Sequence, residues 1–145
     1  MSVHKYSGGC DCGNISVEMQ LTIDPASYQP RACDCSFCRK HGAAYVTDAQ
    51  GKVVISVKDG SELRKHRNGS ELADFLICKR CGVLVGGLSQ GSHSRYATIN
   101  INAIDGNEDF DQPVPVSPKT LSAEEKKGRW QKLWFCDVTF NVAGG

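Results

Sequence analysis

The sequence predicts a mainly β domain with short helical turns, tied together by clustered cysteines. Three observations support this. Apolar residues Ile15, Val17, Met19, Leu21 and Ile23 alternate with polar ones, which is the period of a half-buried strand. Other apolar runs are short and end at turn signals such as Asp59-Gly60 and Asn68-Gly69, the rhythm of an all-β chain. Of the eight cysteines, all but Cys136 fall into three tight clusters. The length, 145 residues, fits one domain spanning 1–145 with a core of its own.

The elements follow in chain order. Gly8, Gly9 and Gly13 surround Cys10 and Cys12 and let the backbone bend there. The strand at 15–23 comes next. Cys33, Cys35 and Cys38 share one short loop. KVVISVKD (52–59) reads as a strand, and the basic run 61–67 as a strand or one turn of helix. Asn68-Gly69 then turns the chain into ELADFLIC (71–78). VLVGGL (83–88) follows at once, so Cys78 and Cys81 stand at the tip of a β-hairpin, with Gly82 permitting a positive φ. The loop SQGSHS leads to an alternating segment at 95–105. NEDFDQPVPVSPK, with three prolines, reads as irregular. Ser122 and Glu125 have the spacing of a capping box for a short helix ending at Gly128. A last strand covers about 132–140 and puts Trp134, Cys136, Val138 and Phe140 on one face, which makes Cys136 a small buried thiol.

The clustered cysteines point to metal. Residues at i and i+2 share a side only in extended or turn segments, so Cys10 and Cys12 can meet one ion from such a segment. The knuckle C-x-x-C-G can aim both Cys78 and Cys81 at one ion. Structural zinc takes four protein ligands, whereas catalytic zinc keeps three and one open position. Seven thiols therefore divide as four plus three. Cys10, Cys12, Cys78 and Cys81 form a closed structural site. Cys33, Cys35 and Cys38 form an open three-thiolate site for a second zinc. Four-thiolate ligation also suits iron–sulfur clusters, and His41 is a rival fourth ligand for the triplet. Disulfides are disfavoured by the absence of a secretory pattern and by the strain of an i,i+2 bridge. His4, His66 and His93 lie in polar surroundings and read as surface residues.

Composition narrows the function. A net charge of +1 is no footprint for nucleic acid. No run approaches the roughly 18–20 apolar residues of a membrane span, and the N-terminus has no apolar h-region, so a cytoplasmic setting is expected. Oligomeric state is unreadable, and a homodimer is compatible with the sequence.

The chain resembles the glutathione-dependent formaldehyde-activating enzyme family. YSGGCDCGNISVEM is similar to its opening G-x-C-x-C-G-x-[IV]-x-x-E segment, and CDCSFCRKHGAA to its C-x-C-S-x-C-R-K-x-x-G box. GSELRKHRNGS resembles its G-x-x-x-L-x-x-Y-x-S segment, with His66 where an aromatic is usual. FLICKRCGVLV looks like its F-C-x-x-C-G hairpin, and YATININAID like the strand ending in its I-D pair. The resemblance runs from about residue 6 to 105. Departures are the compact AAYVTDAQGKVV after the triplet and PVPVSPKT where a P-x-x-H-[IV] run is usual.

The resemblance implies Mss4-like coiled β-sheets with a zinc-binding hairpin, a fold shared with a zinc-binding chaperone of small GTPases. It implies two zincs on the cysteine sets above. It also implies a carbon–sulfur lyase acting on a thiol adduct, as in S-(hydroxymethyl)glutathione synthase. Glutathione is then the expected small-molecule partner. Arg39 and Lys40, next to the triplet, are candidates for its carboxylates, with Arg31 just before it. The family also has a centromere-associated branch. A non-enzymatic zinc-binding interaction module and a thiol or metal redox sensor are the alternative readings.

Overall fold

The computed structural model describes residues 4–33, 35–67, 73–90, 95–116, 122, 124–125 and 133–143. It is mainly β. The strands are β1 (His4–Gly9), β2 (Ile15–Leu21), β3 (Arg31–Cys33), β4 (Tyr45–Val46), β5 (Lys52–Val57), β6 (Leu63–Arg67), β7 (Asp74–Cys78), β8 (Leu84–Gln90), β9 (Arg95–Asn100), β10 (Val114–Val116) and β11 (Asp137–Val142). A short helix, α1 (Ser36–His41), lies between β3 and β4, and 3-10 turns fill several connections.

β2 shows how sequence becomes packing. Ile15, Val17, Met19 and Leu21 are buried, while Ser16 and Glu18 face water. The strand stops at Leu21, and Ile23 is exposed. β2 pairs antiparallel with β1 and β5, and β11 joins β5 in parallel, giving a four-stranded sheet in the order β1-β2-β5-β11. A seven-stranded sheet has the order β10-β3-β4-β9-β8-β7-β6. Neither sheet closes on itself. One buried cluster takes Val17, Met19 and Ile55 from the first sheet and Leu76, Val85 and Ile99 from the second, so the main core lies where the sheets meet. Phe135 closes it: its backbone exchanges two 3.0 Å hydrogen bonds with Ala97 of β9, and its ring is fully buried.

The larger sheet buries side chains on its other face as well. Cys38, Ala43, Tyr45, Ile77 and Leu84 form a second, smaller cluster there, with Cys33, Cys35, Phe37 and Phe75 packed against it. The cysteine triplet therefore sits on the face away from the main core.

Several expectations change. The basic run is both a 3-10 turn, Gly60–Glu62, and a strand, β6. The proline-rich stretch contains β10, which pairs in parallel with β3 at the sheet edge, where a missing proline N–H is tolerated. β1, which shows no clear alternation in the sequence, is a strand because β2 offers it a full antiparallel partner. The final strand begins at Asp137, not at 132, and the chain breaks its alternation just before it. Phe135 is the buried residue and Cys136 is exposed, its thiol donating to the Ala49 carbonyl at 3.2 Å. The capping box is present: Glu125 Oε1 accepts from Ser122 N at 3.0 Å, and Ser122 Oγ from Glu125 N at 3.2 Å. The Asn68-Gly69 turn, the loop around His93 and the helix stop at Gly128 lie outside the described residues. Among the described residues no helix is long and apolar enough to cross a membrane.

Phe135→Ala is expected to cost about 3–5 kcal/mol, the range for emptying a buried aromatic site. Cys136→Ser is expected to stay within about 0.5 kcal/mol of the parent, as exposed substitutions do. Denaturant unfolding of the two variants checks both. A Cys136→Ser loss on the Phe135 scale would restore the buried-thiol reading.

Candidate metal centres

Two groups of sulfurs converge. Cys10, Cys12, Cys78 and Cys81 have their sulfur atoms all within 4.8 Å of one another. Cys10 and Cys12 sit in the turn between β1 and β2, and Cys78 ends β7. The knuckle is a tight turn: Gly82 N donates to the Cys78 carbonyl at 2.8 Å, and Gly82 takes φ of 78°, the left-handed region that favours glycine. Asn14, fully enclosed beside this turn, donates to the Asp59 carbonyl at 3.2 Å and accepts from Asp59 N at 3.0 Å. That bracket pins the cysteine turn to the end of β5. Nothing in the sequence singled out Asn14, because an asparagine after a glycine reads simply as turn chemistry.

The spacing fits a tetrahedron. Bonds of roughly 2.3 Å from zinc to sulfur place neighbouring sulfurs about 3.8 Å apart. Cys10 and Cys12 Sγ are 3.8 Å apart, and Cys12 and Cys78 Sγ 3.5 Å. The thiols differ in how readily they ionise. Burial opposes ionisation of Cys81, but hydrogen bonds from the backbone of Cys12 and Val83 and from the Cys78 and Cys10 thiols bring it down to about 6. Burial, with the Cys12 side chain adding to it, pushes Cys78 up to about 12. One sulfur ionises readily and its neighbour resists, and a cation among them would favour the thiolate forms.

The second group is Cys33, Cys35 and Cys38, again with sulfurs within 4.8 Å of one another. They do not come from a plain loop. Cys33 ends β3, Cys35 caps α1 with its sulfur accepting from Cys38 N at 3.4 Å, and Cys38 lies within α1. Gly42 ends the helix in the left-handed region, at φ 63°. Three spacings from strand, cap and helix thus meet at one point. Cys38 is 1% exposed, and its sulfur lies 3.2 Å from the Tyr45 hydroxyl. The neighbouring Cys33 side chain, then burial, pushes the Cys38 thiol well up, and burial followed by Cys38 pushes the Tyr45 phenol up. Tyr45 therefore stays protonated, and once Cys38 is a thiolate the phenol is the group that donates.

Aromatic rings wall this group. Phe37 stacks on His66 at 4.2 Å and 11°, and meets Phe75 at 5.5 Å; Phe75 in turn lies 6.0 Å from Tyr45. His66, read from the sequence as a surface residue, is half-buried in this stack. His41 is not brought into the sulfur group; it is exposed, with its ring 4.6 Å from Phe37. Arg39 and Lys40 are exposed in the last turn of α1, where positive charge complements the helix carbonyl end. A polar cleft of about 490 Å³ is lined by residues that include Tyr28, Arg31, Tyr45, Thr47, Asp111 and Val116. The sequence offered little sign of Tyr45 or Phe75. Each is one apolar residue in a short strand, and only sheet pairing aligns them with the cysteines.

Known proteins resemble this chain in sequence and in fold. The family model for the glutathione-dependent formaldehyde-activating enzyme matches residues 5–120. A crystal structure of a Rhodobacter sphaeroides protein, a structural-genomics target, is similar in fold. It has a TM-score of 0.56 and 22% sequence identity, over 74% of this chain and 99% of that one.

The two groups should differ in what they hold together. Cys12 and Cys78 are 66 positions apart, and freeing a loop of that length corresponds to about 4 kcal/mol on the cross-link entropy scale. Replacing Cys10 and Cys12 together by serine is expected to cost about that much in the metal-loaded protein, and Cys35→Ser less than half of it. Guanidinium unfolding measures both. Equal losses would show that the first group is no staple.

Proposed function

The chain belongs to the glutathione-dependent formaldehyde-activating enzyme family, and we propose that it is a zinc-dependent carbon–sulfur lyase acting on a thiol adduct of formaldehyde. Membership supports a glutathione-related, formaldehyde-activating role with a small-molecule thiol as partner. The observation that carries the finer reading is the Cys33/Cys35/Cys38 group. Among the described residues it comprises three sulfurs, one fewer than the closed group at Cys10, Cys12, Cys78 and Cys81. Thiolate sets suit zinc, and three protein ligands are the pattern of catalytic zinc.

Zinc held by these three sulfurs would supply a fourth position for a substrate sulfur and make its thiol more acidic. The rest is work for the chain's own residues. In the condensing direction the thiol sulfur adds to the carbonyl carbon, a C–S bond forms, and the thiol proton ends on the former carbonyl oxygen. In the reverse direction the same bond breaks. Tyr45 holds Cys38 in place through its hydroxyl. Phe37, Phe75 and His66 keep water from one side of the group. Three thiolates and a dication leave one negative charge, and a fourth thiolate raises it to two. Arg39 and Lys40 offset that charge and draw the carboxylates of glutathione toward the site.

The cobalt-substituted protein tests this. Glutathione is expected to change its sulfur-to-cobalt charge-transfer band saturably, and the zinc form to accelerate condensation of glutathione with formaldehyde. Cys35→Ser should abolish both while leaving one metal ion bound. A charge-transfer band indifferent to glutathione, with no acceleration, would sink the proposal.

A further inference from the structure

We propose that Tyr45 is a positioning residue for the second metal: its hydroxyl donates to the metal-bound Cys38 sulfur, and a bracket built from Asn100 and Asn102 holds the tyrosine there. This rests on the zinc reading above and deepens it, because it names what keeps a three-sulfur group loaded.

The contact joins two buried side chains. Tyr45 Oη and Cys38 Sγ lie 3.2 Å apart, and the residues are 7% and 1% exposed. A thiolate bound to a metal carries no hydrogen, so the phenol is then the donor. Hydrogen bonds to an ionised partner are about twice as strong as neutral ones. Three thiolates around one dication leave a net negative charge, and donation to Cys38 disperses part of it.

The donors differ from sulfur to sulfur. Cys10 Sγ, in the four-sulfur group, accepts from the backbone N–H of Ile15 at 3.2 Å. Cys35 Sγ, in the triplet, accepts from Cys38 N at 3.4 Å. Cys38 instead meets a side chain. One substitution therefore removes its donor without disturbing the backbone.

Tyr45 reaches the sulfur because the segment that carries it is fixed at several points. The chain leaves α1 at Gly42 and returns through Ala43 and Ala44 to Tyr45 on β4. Asn102 Nδ2 donates to the Gly42 carbonyl at 2.7 Å, and Ile101 N donates to the Ala44 carbonyl at 2.7 Å. Asn100 is buried and stands opposite Tyr45 in the β4–β9 pairing. Its Oδ1 accepts from Ala44 N at 3.4 Å and from Asn102 N at 3.2 Å, and its Nδ2 donates to the Leu84 carbonyl at 2.9 Å. A buried amide with both ends in use resists displacement, since moving it leaves polar groups unpaired. Cys38 is tied to the same segment, with Ala43 N donating to its carbonyl at 3.0 Å. The bracket thus fixes both ends of the tyrosine–sulfur contact. Phe75, 6.0 Å from the Tyr45 ring, packs beside it. Partners of this kind orient a metal's ligands and tune the metal itself.

The test uses the full-length protein. Tyr45→Phe keeps the ring and removes only the hydroxyl. Competition with a chromophoric chelator is expected to show zinc at the triplet bound about tenfold more weakly, the scale for losing a partner of a metal ligand, with the ion at the four-sulfur group unaffected. Cobalt is then added to the triplet after zinc has filled the four-sulfur group. The sulfur-to-cobalt charge-transfer band of Tyr45→Phe is expected at longer wavelength than in wild type, because a sulfur relieved of a hydrogen bond gives up an electron more easily. A tyrosine that only fills space would leave the band where it is. Asn102→Ala, at an exposed position, is expected to act in the same direction by a smaller factor. An unchanged band or an unchanged zinc affinity in Tyr45→Phe overturns the inference, and so does equal weakening at both sulfur groups. An Asn102→Ala protein that behaves as wild type overturns the part assigned to the bracket. Wild-type protein that binds no second ion overturns the zinc reading itself, and this inference with it.

Discussion

Four sulfurs contributed by two distant turns form the constraint on which the rest of the structure depends. Cys12 and Cys78 lie 66 positions apart, yet their sulfurs are 3.5 Å from one another. The turn carrying Cys10 and Cys12 leads straight into β2, the most regularly alternating strand of the smaller sheet. The knuckle carrying Cys78 and Cys81 joins β7 to β8 in the larger one. Bringing the two turns together fixes how the sheets face each other and where the main core closes. Asn14 and Asp59 support the junction through two hydrogen bonds, 3.2 and 3.0 Å long, that leave the buried amide with both an acceptor and a donor partner. These four sulfurs could hold a metal ion, and such an ion would link metal binding to folding.

The larger sheet does unusual duty for a small β domain. Side chains are buried on both its faces, and the second face carries the cysteine triplet. Because residues alternate along each strand, β7 sends Leu76 and Cys78 toward the main core and Phe75 and Ile77 toward the triplet. β3 behaves likewise, with Ala32 on one side and Arg31 and Cys33 on the other. The period of two therefore separates the main core from the layer that holds the triplet without a second domain.

Much of this was legible in the sequence, for identifiable reasons. Clustered cysteines are rare enough that their spacing alone divides them into four and three, and the four-plus-three grouping recurs in space. β2 and the knuckle hairpin were legible because local pattern and tertiary placement agree there. Other features depend on partners far along the chain. β10 is a strand only because β3 offers it an edge. Cys136 read as buried because strict alternation was carried through 134–140, whereas the strand starts at Asp137 and Phe135 takes the buried place. Tyr45 and His66 acquire their roles from residues on other strands, and no local signal announces such a contact.

The two sulfur groups are also joined mechanically. Cys78 belongs to the first group, and Ile77, next to it on β7, packs in the cluster around the second. Phe75, two residues before Ile77, meets both Phe37 and Tyr45, and Tyr45 contacts Cys38. Strand β7 thus runs from one sulfur group along the wall of the other. A closed four-sulfur site is rigid, and rigidity at one end of a strand holds its neighbouring side chains in register. The four-sulfur group thereby anchors the strand that carries Phe75 and Ile77, which pack in the layer around the three-sulfur group.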